Sequence, residues 1–137
     1  MCLNRFQYKY HFLKQGDIVY VDLGEGKTSE QEGIRPCVVI QNDIGNKYSP
    51  TTIVAPISSK IKYNKNGNIQ PTHFIIENYK EVGLKSRSII LFEQIRVISK
   101  ERILGFPKGH INIKNVKNHI LIALGLNDEE EKPAYNE

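Results

Sequence analysis

The chain has 137 residues and a net charge of +4, from 19 Lys and Arg against 15 Asp and Glu, enough for one domain with one core. No run approaches the ~18 apolar residues of a membrane span, and the first residues, "MCLNRFQYKYHFLK", lack the apolar stretch of an export signal. Cys2 and Cys37 are too few and too far apart for a disulfide framework or a paired-thiol metal site, so a reduced cytoplasm is the expected setting. The last ten residues, "DEEEKPAYNE", carry −4, which leaves +8 on the rest of the chain. A body so basic favours polyanionic partners, nucleic acid among them.

In chain order, residues 1–14 read as an extension in which Phe6, Tyr8, Tyr10 and Phe12 alternate. They suit an added edge strand or an apolar cover better than base stacking. Six short apolar or β-branched runs follow: "DIVYVDL" (17–23), "PCVVIQN" (36–42), "TTIVAPIS" (51–58), "THFIIE" (72–77), "SIILFE" (88–93) and "IRVIS" (95–99). The turn-rich segments "GEGKTSEQEG", "NDIGNKYSP", "NKNGN" and "NYKEVGLKSR" separate them. Five or six short strands with polar connections predict a mainly β domain, a small barrel or sandwich, over residues 15–126. "SKERI" predicts a helical turn capped by Ser99. "NIKNVKNHILIALGL" predicts a final helix capped by Asn112, with Ile113, Val116, Ile120 and Leu124 on one face. Residues 127–137 are too polar to pack and read as a disordered acidic tail.

Several chemistries find no support. "GEGKTSEQEG" lacks the spacing of a phosphate-binding loop and precedes a strand. His11, His73, His110 and His119 have no metal-ligand spacing, so they read as structural or surface residues and no cofactor is expected. Cys37 lies inside a strand run and reads as a buried, inert thiol.

Taken together, "GDIVYVDLG", "SEQEGIRPCVVIQNDIGNKYSPTTIVAPIS", "PTHFII" and "SIILFEQIRVISKERI" resemble the MazF/PemK family of toxin endoribonucleases, its Bacillus-type members in particular, over residues 15–104. The resemblance implies an SH3-like barrel and a homodimer. It further implies metal-independent cutting of single-stranded RNA to 2′,3′-cyclic phosphate and 5′-hydroxyl ends, restrained by a cognate antitoxin. It places Arg35 and Ser58 on the scissile phosphate, with Ser58 where most members have threonine. About four extra residues in "KIKYNKNGNIQ" and the N-terminal extension depart from the family pattern.

The residues themselves are compatible with that role. A guanidinium fork matches two phosphate oxygens and stabilises the added charge of a pentavalent phosphorus. The competing reading pairs Arg35 with Glu30 or Glu32 across the loop. Glu30, Asn42, Asp43, Lys60, Lys62 and Gln94 are candidate RNA contacts, with Lys65 beside the lysines. Asn42 and Asp43 equally suit a turn, Gln94 a structural hydrogen bond, and the lysines a solvated loop. Strand alternation in "TTIVAPISS" predicts Ser58 on the outer face and Ser59 toward the core. The general base is not identifiable in the sequence. A non-cleaving nucleic-acid-binding barrel and a gyrase-poisoning toxin of the same fold are the alternatives.

Overall fold

A computed structural model describes residues 13–128. The aromatic alternation at positions 6–12, Cys2, His11 and the acidic tail beyond residue 128 lie outside the described residues.

Seven strands form one antiparallel sheet: β1 (Asp17–Asp22), β2 (Ile34–Val39), β3 (Thr51–Ser58), β4 (His73–Ile76), β5 (Ser88–Leu91), β6 (Arg96–Ser99) and β7 (Ile103–His110). The strand order is β4-β5-β3-β2-β1-β7, with β6 branching off β3. β3 is the pivot. Its first half, Thr51–Val54, pairs with β6, whereas Ile57 and Ser58 pair with β5. Pro56, which has no N–H to donate, falls where the neighbour changes. The architecture is therefore the expected mainly β one, in a sheet that does not close into a ring among the described strands.

Both faces of the central strands are buried, which explains their nearly continuous apolar runs. Val19, Val21, Cys37, Val39 and Val54 enter one core with Leu13, Ile98 and Ile103. Ile18, Val38, Ala55 and Ile57 enter another with Ile76, Ile90, Phe92 and Val116. Gly16 opens β1 at φ 93°, where a side chain would run into the Ile111 carbonyl.

Three features were not legible in the sequence. β7, "ILGFPKGH", reads as a loop because of its two glycines and its proline, yet it is the edge strand beside β1, where Pro107 is tolerated. The segment "NDIGNKYSP" holds a short helix, α1 (Asp43–Tyr48), instead of a plain turn. The final helix starts as a 3₁₀ turn over Ile113–Val116, capped by Asn112 as expected, and continues as α2 (Lys117–Leu124). Val116 is buried, but Leu124 is 57% exposed, because Gly125 ends the helix in the left-handed region. Ser99 caps its predicted turn through its hydroxyl.

Candidate functional site

The β1–β2 connection, residues 23–33, is closed at its neck by Leu23 N–H to the Gly33 carbonyl (2.9 Å) and Gly33 N–H to the Gly24 carbonyl (2.8 Å). Gly24 and Gly33 adopt φ 73° and 74°, a left-handed geometry that this neck requires and other residues resist. Inside the loop the acids serve the backbone. Glu32 accepts from Gly26 N–H at 3.0 Å, and Glu30 from Lys27 N–H at 3.2 Å. Arg35, at the start of β2, donates from Nε to the Glu32 carbonyl at 2.8 Å. Its side chain forms no ion pair among the described residues, so neither Glu30 nor Glu32 neutralises it. One edge of the guanidinium is anchored and the Nη edge is left for a ligand.

Arg35 opens onto a cleft of about 270 Å³ lined also by Ser58, Lys60, Lys62, His73, Glu93 and Gln94. Ser58 ends β3 and is 5% exposed. Its Oγ accepts from the Lys60 N–H at 3.1 Å, which leaves the hydroxyl proton to be donated. The expected placement of the two serines is reversed in burial. Ser58 is buried on the cleft floor and Ser59 is exposed, because the strand ends at Ser58 and the alternation does not continue. Thr52 and Val54, which alternate with Ile53 and Ala55 on the face that Ser58 shares, are fully buried because both faces of β3 are covered.

Sequence reasoning missed the carboxylate in this cleft. Glu93 sits on the 3₁₀ turn Phe92–Gln94 after β5, where Oε2 accepts from Thr72 Oγ1 at 2.5 Å and Oε1 from His73 Nε2 at 3.0 Å. Burial alone would raise its pKa, but the His73 and Thr72 hydrogen bonds outweigh it and hold the carboxyl below its usual range. An ionised, oriented carboxylate with spare lone pairs can take a proton from a hydroxyl brought beside it. The signal lay in register: His73 pairs with Leu91 across the β4–β5 ribbon, two residues before Glu93.

The other candidates separate. Gln94 lines the cleft, but its Oε1 accepts from Gln31 N–H (2.8 Å) and its Nε2 donates to the Ser29 carbonyl (3.1 Å). It buttons the β1–β2 loop onto the sheet. Glu30 lines a neighbouring hollow of about 330 Å³ instead of this cleft. Asn42 and Asp43 do not line the cleft either. Asn42 caps α1 by accepting from Gly45 N–H at 2.8 Å, and Asp43 accepts from Gln15 N–H at 2.6 Å. Their side chains are thus committed to local structure. Lys60 and Lys62 line the cleft, whereas Lys65 does not.

Cys37 is fully buried, and burial pushes its thiol up to about 12 despite Arg96 and Arg35 nearby, so it is inert. No cluster of three or more His, Cys, Asp or Glu capable of holding a metal occurs among the described residues.

A family model of PemK-like, MazF-like toxins of type II toxin–antitoxin systems matches residues 14–124. The chain belongs to the PemK/MazF-like toxin family. Solved structures agree on the fold. MazF from Deinococcus radiodurans superposes with a TM-score of 0.65 at 16% identity, covering 82% of this chain and 96% of that one. The Mycobacterium tuberculosis toxin MazF-mt6 gives 0.62 at 15% identity, with coverages of 82% and 99%. A mycobacterial endoribonuclease in complex with its cognate antitoxin gives 0.60 at 16%, with coverages of 85% and 96%. For this toxin the family match fixes the class, and at such identities the structures speak to the fold alone.

Proposed function

We propose that this PemK/MazF-like toxin is a sequence-specific endoribonuclease that cuts single-stranded RNA without a metal, in the cytoplasm, as a homodimer silenced by a cognate antitoxin. The observation that carries the reading is the pairing of an unneutralised Arg35 Nη edge with the donor-ready Ser58 hydroxyl in one cleft, flanked by Lys60 and Lys62. Glu93 takes the proton of the ribose 2′-hydroxyl, whose oxygen attacks the adjacent phosphorus. Arg35 and Ser58 stabilise the charge that grows on the non-bridging oxygens. The bond from phosphorus to the 5′-oxygen breaks, that oxygen takes a proton from water, and the products are a 2′,3′-cyclic phosphate and a 5′-hydroxyl. Exposed Ile34, Val97, Leu104 and Phe106 supply apolar surface for the second copy.

The decisive experiment incubates purified toxin with a long unstructured RNA and maps the new 5′ ends. Cuts bearing 5′-hydroxyls at a recurring short sequence, absent with Arg35→Ala, are expected. Intact RNA would refute the reading, and inhibition of a topoisomerase in its place would point to the protein-directed toxins of this fold.

A further inference from the structure

Between Ser58 and His73, both in the cleft, the chain makes an excursion over residues 59–72. This arm is ordered by its own backbone. Asn64 N–H donates to the Asn68 carbonyl at 2.7 Å, Gly67 N–H to the Asn64 carbonyl at 3.0 Å, and the Asn64 side chain accepts from Asn66 and Asn68 N–H at 2.9 Å. Its midpoint is tied to the sheet. Arg87 holds Glu77 bidentately along one guanidinium edge, Nε to Oε2 at 2.9 Å and Nη2 to Oε1 at 2.7 Å, and Arg87 Nη1 donates to Tyr63 Oη at 3.0 Å.

The position of this cluster matters as much as its bonds. In the β4–β5 ribbon His73 pairs with Leu91 and Ile75 with Ile89, while Phe74, Ile76 and Ile90 face the core. His73, Leu91 and Ile89 line the cleft. Glu77 and Arg87 flank the ribbon's last pair, Ile76 with Ser88, and lie about 13 Å along the strands from the His73–Leu91 pair at ~3.3 Å per residue. The ribbon thus runs from the Glu93 end of the cleft toward Arg87, and the arm gives Lys60 and Lys62 to the cleft lining and reaches Arg87 through Tyr63.

We propose that Tyr63, Arg87 and Glu77 are a clasp that holds the 59–72 arm as one wall of the cleft, so that Lys60 and Lys62 grip RNA phosphates flanking the scissile one. The inference rests on the RNA-cutting reading for its substrate. The clasp residues are positioning residues, acting through the two lysines. Tyr63→Phe removes only the bond to Arg87 and leaves the Arg87–Glu77 pair intact.

The test measures binding of a labelled single-stranded RNA oligonucleotide by anisotropy, cleavage kinetics on a long RNA, and amide exchange in the free protein. Tyr63→Phe is expected to speed exchange across residues 60–68. It should weaken RNA binding and raise KM about two- to fivefold, the scale of one surface contact, with kcat within twofold of wild type. In a Lys60→Ala/Lys62→Ala background the same change should add nothing. An unaltered KM and binding constant would overturn the proposal, as would a full effect in the lysine-free background. Wild-type toxin that binds RNA but does not cut it would refute the nuclease reading alone, and Tyr63→Phe would then decide the clasp through binding. Failure of wild-type toxin to bind RNA at all would overturn both.

Discussion

Replacing Ser58 by alanine separates catalysis from folding in this cleft. The hydroxyl accepts one hydrogen bond, from the Lys60 main chain at 3.1 Å, and keeps its proton for a ligand. Loss of one donor to the developing phosphorane charge should slow single-turnover cleavage by about 10- to 1000-fold, with RNA binding little changed. The structural cost is small by comparison. Lys60 is exposed, so water replaces the missing acceptor, and the expected loss is about 1 kcal/mol or less, a few degrees in Tm. Ser58→Thr keeps the hydroxyl and should remain active. Ser59→Ala removes an exposed hydroxyl outside the strand and should leave both rate and Tm near wild type. Rates should be measured with enzyme in excess over a mapped RNA substrate, alongside thermal melts of each variant. Cleavage by Ser58→Ala within twofold of wild type would refute the assignment, as would abolition by Ser59→Ala alone in a folded protein.

Glu93→Gln should reduce cleavage at least about 100-fold, the lower end of the usual range for a general base, while keeping the Thr72 bond. Because its carboxyl is held below the usual range, wild-type activity should persist as pH falls to the ordinary carboxylate pKa and decline only below it. An acid limb near neutrality would argue against Glu93 as the base. His119 makes the opposite kind of test, since burial lowers its pKa and its ring lies edge-on to Phe74 at 5.3 Å, with Nδ1 buried and without a hydrogen-bond partner among the described residues. The unfolded chain then binds the proton more readily, so stability should fall as pH drops through ~6.5 toward the depressed folded value. In His119→Phe that slope in Tm should flatten, and an unchanged slope would assign it elsewhere. Cleavage should survive excess EDTA, because Arg35 supplies the positive charge; complete loss with rescue by Mg²⁺ would contradict the mechanism.

The strands that pack on both faces were legible because their apolar runs are nearly continuous, and the pairing of Arg35 with Ser58 was an expectation from the family resemblance. What escaped was decided by tertiary context. β7 has glycine and proline in strand positions that only an edge tolerates, and the tyrosine, arginine and glutamate of the arm's clasp are far apart in sequence. Glu93 read as a strand end because its meaning comes from Thr72 and His73 across the ribbon. Asn42 and Asp43 were ambiguous for a local reason. The same short side chains that reach a base also cap a helix, and here α1 claims them.

The charge of Arg35 illustrates how the loop sets up the cleft. Residues 23–33 contain three glutamates close in sequence to the arginine, and a neutralising ion pair was the simplest outcome on sequence grounds. Two are spent otherwise. Glu30 and Glu32 accept from main-chain N–H groups inside the loop, and Gln94 pins the same loop at Ser29 and Gln31. An exposed glutamate–arginine pair contributes little to stability, so directing these carboxylates to the backbone costs the fold little and leaves the cation for an anionic ligand. Glu93, the sole carboxylate lining the cleft among the described residues, is held in turn by Thr72 and His73. Cation and carboxylate are thereby kept from cancelling each other, as the proposed cleavage of RNA requires: the guanidinium would meet the phosphodiester anion and the carboxylate the neighbouring ribose 2′-hydroxyl.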